Sequence, residues 1–157
     1  RGCFVAEVTE SDLDEIFPVI ALLEGRAAHE ATRKAVAADI AALELLHERL
    51  QQCAADGLVT DYYEANYAIH EAFITLADNR WLAQVIGDLR KILRLARHQT
   101  LQVPGRLQQS LSEHGQVFAA LQKGDAAAAE QAMRNHLLAQ RDALRELARN
   151  HPSRITP

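Results

Sequence analysis

Aromatic residues are scarce in this chain, which has one tryptophan, three tyrosines and four phenylalanines among its 157 residues. Strands of β-sandwiches and barrels are rich in aromatic and β-branched residues, so this composition argues against an all-β fold. Alanine, leucine, glutamate, glutamine and arginine dominate instead. Because these residues are good helix formers, and the chain is long enough for one hydrophobic core, we predict a single helical domain.

Cysteine pairs, long apolar runs and excess positive charge are also missing. Cys3 and Cys53 lie far apart without a CxxC spacing, which excludes a disulfide framework and favours a reducing compartment. No apolar run approaches the ~20 residues of a membrane span, and no signal-peptide pattern opens the chain. A net charge of −4 offers no basic surface to nucleic acid. We expect a cytoplasmic protein that contacts no membrane and does not bind DNA through its own surface.

Apolar residues recur at helical spacing along most of the chain. Start and stop residues divide this pattern into segments: the first from Thr9 or Ser11 to about residue 33, then 36–55, about 60–77, a fourth between Asn79 and Pro104-Gly105, a fifth ending near Lys123, and a sixth over 126–149. Pro18 removes an interior hydrogen bond, so we expect a kink or a late start in the first helix. The prediction is an all-α fold, an antiparallel bundle of about six helices.

The first eight residues have a different character. They contain glycine and are rich in β-branched and aromatic residues, which favours a short strand over a helix. A lone strand is not stable by itself. It either packs as a tail on the helices or is the last strand of a domain that precedes this chain.

Four side chains in the helical pattern are candidate metal ligands, namely Asn66, His70, His114 and His136. Asn66 and His70 are four residues apart, so on a helix they share one face and can reach one point. Each histidine lies among apolar residues, and a buried imidazole needs a partner for each nitrogen, which a metal ion can provide. A backbone carbonyl or a carboxylate can serve equally, and Asn66 could merely bond a neighbouring side chain. The spacing alone leaves both interpretations open.

The motifs around these residues resemble those of a known family. They are Asn66-x-x-Ile69-His70, Asp78-Asn79-x-x-Leu82, Glu113-His114-x-x-Val117, Gly124-Asp125 and Met133-x-x-His136-Leu137. From Thr9 to about His151 the chain resembles the FCD domain, the ligand-binding domain of FadR-type GntR transcription regulators. The opening residues resemble the end of the wing in a winged-helix DNA-binding domain. The resemblance implies that residues 1–8 are a remnant of the wing and linker, 9–151 the ligand-binding and dimerisation domain, and 152–157 a tail.

The resemblance also implies a function and a set of partners. Members of the family form homodimers, bind a small organic acid or similar metabolite, and change their affinity for operator DNA in response. The DNA would be bound by the missing N-terminal domain. Many members hold a divalent metal with an acidic residue and three histidines, which correspond here to Asn66, His70, His114 and His136. Zinc, nickel and manganese suit such donors, with zinc as the first choice.

Two positions depart from the family pattern. Asn66 stands where aspartate is commoner, and an amide oxygen can coordinate but brings no charge, so we expect weaker metal binding. Ile20 stands where the family often has an arginine ahead of the Leu23-Glu24 pair. This substitution puts carboxylate capture from the first helix in doubt.

Other charged residues near the motifs have secondary roles in this interpretation. Arg90, Arg94 and Arg97 lie roughly on one side of the fourth helix. Such a row is commonly a solvated face paired with acids, but Arg94 and Arg97 are the candidates for binding an effector carboxylate. Glu113 could fix the tautomer of a ligand histidine. The remaining histidines match no ligand position and are taken as surface residues: His29, His47, His98 and His151.

Three hypotheses about function follow. The first is an effector-sensing, dimeric and non-enzymatic domain of a bacterial transcription regulator. The second is a metal-dependent enzyme, since three histidines with open positions on the metal can activate water, although no HExxH motif supplies a general base. The third is a dimerisation module that binds no ligand, in which the histidines satisfy one another.

Overall fold

The computed structural model describes residues 9–150, and every regular element in that range is a helix. The helices are α1 (Glu10–Lys34), α2 (Ala37–Ala55), α3 (Val59–Ala77), α4 (Arg80–Thr100), α5 (Arg106–Gln122) and α6 (Ala126–Asn150). The all-α fold and the six-helix bundle are confirmed. The predicted N-terminal strand and the tail lie outside the described residues.

Local sequence signals explain where the helices begin and end. Thr9 caps α1 in a capping box, in which its hydroxyl accepts from the Asp12 amide at 3.1 Å and the Asp12 carboxylate accepts from the Thr9 amide at 2.8 Å. Asn79 caps α4 by accepting hydrogen bonds from the amides of Trp81 and Leu82. Gly124, with φ of +67°, ends the turn after α5, since this conformation is costly for residues with a Cβ.

Pro18 lies in the interior of α1, and the predicted late start is wrong because the helix already begins at Glu10. Proline lacks the N–H that would bond to the carbonyl of Asp14. The Asp14 side chain faces α6, where its Oδ1 accepts from Nε of Arg145 at 2.6 Å. Packing against α6 therefore helps to keep this part of α1 helical, although one backbone hydrogen bond is missing.

The packing places α1 at the centre of the bundle. It lies against α6 over most of its length and also contacts α3, α4 and α5. One apolar cluster is built mainly from α2, α3 and α5, and a second from α1, α4 and α6. Among the described residues, no helix is long and apolar enough to cross a membrane.

Candidate metal centre

His70 on α3, His114 on α5 and His136 on α6 meet in the interior of the bundle. All three are buried, and one nitrogen from each lies within 4.8 Å of the others. The ring centroids of His114 and His136 are 4.4 Å apart, and those of His70 lie 5.1 Å and 5.3 Å from them. Three helices that are distant in sequence thus aim one imidazole each at a common point.

Asn66 joins this cluster from α3, one turn before His70. Its side chain is buried, and its amide oxygen lies 2.5 Å from Nε2 of His114. Nδ1 of His114 has no hydrogen-bond partner. The side chain of Asn66, a candidate ligand because of its i, i+4 spacing to His70, therefore contacts one of the three histidines.

Two carboxylates, one buried and one partly buried, stand behind two of the imidazoles. Glu24 of α1 contacts Nδ1 of His70, and Oε2 of Glu113 lies 2.7 Å from Nδ1 of His136. Carboxylates in this position fix the tautomer with a proton on Nδ1 and leave the Nε2 lone pair free, as in metal-binding histidines generally. Nε2 of His70 has no partner, and Nε2 of His136 has only the Gln140 amide nitrogen at 3.5 Å.

The donor set fits a divalent transition metal ion. Leaving a buried polar nitrogen unpaired costs free energy, so Nε2 of His70 calls for a partner that the protein does not supply. Three imidazole nitrogens and one amide oxygen are the ligand types that zinc and nickel accept. Asn66, His70, His114 and His136 are the residues that would hold such an ion.

Burial keeps the imidazoles neutral. It lowers the pKa of His70 to about 4, although the Glu24 carboxylate acts in the opposite direction. Burial, and then the charges of the neighbouring histidines, hold the pKa values of His114 and His136 well below the usual range. Neutral imidazole is the form that binds metal, so the cluster is ready to coordinate at neutral pH.

The arginines of α4 divide between this centre and the surface. Arg97 is buried, with Nη1 at 3.4 Å from Oε1 of Glu24. Arg90 is also buried, with Nη1 at 2.6 Å from Oε1 of Glu71 and its guanidinium 4.3 Å from the Tyr67 ring. Burial alone would raise the pKa of Glu24, but His70, Arg97 and Arg90 outweigh it and lower that pKa. Arg97 therefore belongs to the surroundings of the centre.

Arg94 lies elsewhere. It is exposed and lines a pocket of about 500 Å³ between α3 and α4, together with Tyr63, Tyr67 and Arg90. The two candidate effector contacts are therefore not in one place. Arg97 stands beside the histidine cluster, and Arg94 faces a groove on the surface.

Sequence reasoning missed two residues of the site. Glu24 is the first, although its position within the apolar stripe of α1, between Ile20 and Ala27, indicates a buried carboxylate that needs a partner. Arg106 was not singled out, yet its Nη2 lies 2.9 Å from Oε2 of Glu113, seven residues on and therefore two turns along the same face. Ile20, where the family often has an arginine, is part of the apolar core.

The other histidines do not join the cluster, but they are less exposed than expected. His29, His47 and His98 are all partly buried. His47 stacks on Phe118 with ring centroids 5.1 Å apart, and Nδ1 of His29 lies 3.1 Å from Glu130. These residues lie at the surface only in part, because each side chain also contacts a neighbouring helix. His151 lies outside the described residues.

The helical bundle encloses three buried imidazoles, two of which contact a carboxylate. It is therefore a domain with a polar site in its interior. The FCD domain family model matches residues 15–139, and the chain belongs to this family. No curated protein matches the chain.

Two solved structures resemble it. Escherichia coli McbR/YncC has 22% identity and a TM-score of 0.81, with 89% of this chain and 67% of that one covered. Lar, described as controlling the expression of the Listeria monocytogenes agr system and mediating virulence, has 11% identity and a TM-score of 0.74, with 89% and 66% covered. At these identities the likeness shows a common fold, and the chain spans about two thirds of the length of either protein.

Proposed function

We propose that this chain is the metal-dependent effector-sensing domain of a bacterial transcription regulator of the FadR type in the GntR family. The observation that carries the proposal is the cluster of three buried imidazoles, two of which have an unpaired nitrogen and two of which contact a carboxylate. Membership of the FCD family supports it, as does a solved relative described as controlling gene expression. Operator DNA is bound by a winged-helix domain outside this chain. The regulator acts in the cytoplasm.

The proposed ion is divalent, with zinc preferred over nickel and manganese. His70, His114 and His136 provide nitrogen donors, and Asn66 provides an oxygen. Because the amide carries no charge, the ion keeps more of its own positive charge than it would beside an aspartate. A site of this kind binds metal less tightly but attracts an anionic ligand more strongly.

The proposed effector is a small organic acid. Its carboxylate takes an open position on the ion. Arg97, which pairs with Glu24, supplies a second positive group. An acid at this point competes with Glu24 for Arg97, which changes a contact between α1 and α4. Differential affinity for the two helix arrangements is what allows a ligand to shift the equilibrium between them. Arg94, in the pocket between α3 and α4, provides a further cation on the outer side of the same helix.

The surroundings of the centre support sensing over catalysis. Glu24 and Glu113 are the carboxylates that contact the clustered histidines in the described part of the chain. Each already contacts an imidazole and an arginine, Arg97 for Glu24 and Arg106 for Glu113. Both carboxylates are therefore placed to orient an imidazole and to balance the charge of an arginine, which is a supporting role around a ligand site.

The test of the proposed function is ligand-dependent stabilisation. A panel of small hydroxy acids and dicarboxylic acids is titrated against zinc-loaded and metal-free protein, and melting temperatures are recorded. We expect at least one acid to stabilise the zinc-loaded protein and to have no effect on the metal-free one. Arg97→Lys should weaken the effect because it loses the planar fork that matches a carboxylate, whereas Arg49→Lys on the exposed face of α2 should not.

The proposal extends to the full-length regulator. The active acid should change the affinity of the full-length protein for its operator. A zinc-loaded protein that binds none of the acids, together with DNA binding that ignores all of them, would contradict the sensing role.

A homodimer is also proposed, and an exposed apolar surface supports it. Trp81, Val85 and Ile92 lie about one turn to two turns apart along α4, and each is between 47% and 62% exposed. Val19 and Leu22 are similarly exposed on α1, which packs against α4. Contiguous exposed apolar surface commonly marks a protein interface.

We therefore expect the double variant Val85→Glu, Ile92→Glu to be monomeric in sedimentation velocity at concentrations where the unmodified protein is dimeric. Placing two carboxylates in an apolar interface makes association unfavourable because the charges lose their hydration. Leu45→Glu is the matched control, since Leu45 is 66% exposed on α2. Dimers that persist in the double variant would assign the interface to another face.

A further inference from the structure

Arg106, at the start of α5, has unused hydrogen-bonding capacity in the interior of the protein. It is only 2% exposed, and its Nη2 lies 2.9 Å from Oε2 of Glu113. Nε and Nη1 are buried and have no hydrogen-bond partner. Buried N–H groups without partners are costly, and more so when they carry charge. The residue is thus paired on one nitrogen and unsatisfied on two.

The geometry of the guanidinium makes these free donors a matched pair. Nη2 has two N–H bonds, one parallel to that of Nε and the other parallel to one on Nη1. Glu113 engages one of the two at most in a single short contact. Whichever it takes, the other N–H of Nη2 and a free neighbour form a complete fork of parallel donors. Such a fork fits the two oxygens of a carboxylate.

Arg106 also borders a space that a ligand can enter. It lines a pocket of about 300 Å³ between the start of α5 and the middle of α6. Val103, Pro104, Ala139 and Ala143 form apolar walls. A volume of this size lies at the lower end for small-molecule sites, so it suits an acid with a short carbon chain.

Acidic groups at the rim do not cancel this charge. Asp142 lines the pocket, but its Oδ1 accepts from Nη2 of Arg141 at 2.9 Å and lies 3.9 Å from Nη1 of Arg145. Glu146 is an exposed residue of the same rim. Arg106 is the buried charge at the inner end, where attraction is least screened by water.

We infer that the pocket between α5 and α6 is a second ligand site, which takes a small aliphatic monocarboxylate on the free fork of Arg106. The site is separate from the histidine cluster but adjoins it, because Oε2 of Glu113 contacts both Nη2 of Arg106 and Nδ1 of His136. Nε and Nη1 are enclosed by protein atoms, so the guanidinium has to turn toward the pocket, and partly away from Glu113, when an acid binds. Binding of an acid in the pocket therefore changes the contacts of the Glu113 carboxylate, which orients His136.

The experiment titrates acetate into chelator-treated protein and follows it by two-dimensional ¹H–¹⁵N NMR. Chelation removes any metal ion from the histidine cluster, and the signals followed belong to residues of this pocket, so the test does not depend on the proposed metal centre. We expect saturable shifts over the millimolar range in the assigned Nε–H signal of Arg106 and in the amides of Ala139 and Ala143. Amides on α2, none of whose residues lines the pocket, should not shift.

Two probes and two variants separate carboxylate recognition from other causes. Acetamide, which has the same shape without charge, and sodium chloride at equal ionic strength should leave the signals in place. Arg106→Lys should weaken acetate binding at least tenfold because lysine has no fork, and Arg49→Lys, on the exposed face of α2, should not change it. Should Arg106→Lys fail to fold, the shifts in the unmodified protein still decide the matter. No shift with acetate, or equal shifts with acetamide or chloride, would overturn the inference.

Discussion

Replacing Glu24 by alanine is expected to lower the free energy of unfolding by about 3–5 kcal/mol, the usual cost of removing one partner from a buried charge pair. Glu24 is 2% exposed and lies between Nδ1 of His70, Nη1 of Arg97 and Nε of Arg90. Arg90 keeps a second partner in Glu71, but Arg97 has no other acid among the ion pairs of the described residues. Without Glu24, the charge of Arg97 is buried and unpaired.

The measurement is urea denaturation at pH 7 in the presence of a chelator, so that metal binding does not contribute. Glu30→Ala is the matched control on the same helix, because Glu30 is partly exposed and its partner Arg26 is 55% exposed. A pair with one partner largely in solvent is worth about 1 kcal/mol or less. If Glu24→Ala is largely unfolded in water, Glu24→Gln provides an intermediate point, since its amide oxygen still accepts from His70. Equal stability of the Glu24 and Glu30 alanine variants would contradict the assignment.

Zinc is expected to raise the melting temperature of the metal-free protein strongly. At free zinc about a thousandfold above the dissociation constant, binding to the native state adds about 4 kcal/mol to the free energy of unfolding. For a domain of this size the corresponding rise is on the order of 10 °C. The physical reason is that the ion satisfies Nε2 of His70, a buried nitrogen with no hydrogen-bond partner in the bundle.

The zinc-induced rise should vanish in His70→Ala and in His114→Ala. His98→Ala is the control, because His98 packs edge-on against Tyr63 away from the cluster. Each variant is compared with itself with and without zinc, so the cavity left by the missing ring cancels. A rise that survives in both cluster variants would show that zinc binds elsewhere.

Much of the fold could be predicted because its determinants are local. The cap at Thr9 depends on Asp12 three residues later, and the cap at Asn79 on the amides of the next turn. Helical periodicity and short connections then leave few arrangements for the chain. The late start considered for α1 was wrong because packing against α6 stabilises a helix that contains Pro18, and such packing is not a local property of the sequence.

The site was only partly accessible from the sequence. Asn66 and His70 are linked by helix geometry alone, and family motifs pointed to His114 and His136. Arg94 and Arg97 differ by about 60° around α4, since three residues rotate a helix by roughly 300°. Which of the two side chains faces the interior depends on where α1 and α3 lie. The sequence alone therefore provides no reason to distinguish them.

The metal content of gently purified protein, determined by elemental mass spectrometry beside His114→Ala and His98→Ala, tests the central claim most directly. The cluster of His70, His114 and His136 predicts close to one equivalent of a divalent metal in the unmodified protein and in His98→Ala, and its loss in His114→Ala. Absence of metal from all three proteins, with no uptake of zinc, nickel or manganese when these are added, would contradict the metal centre.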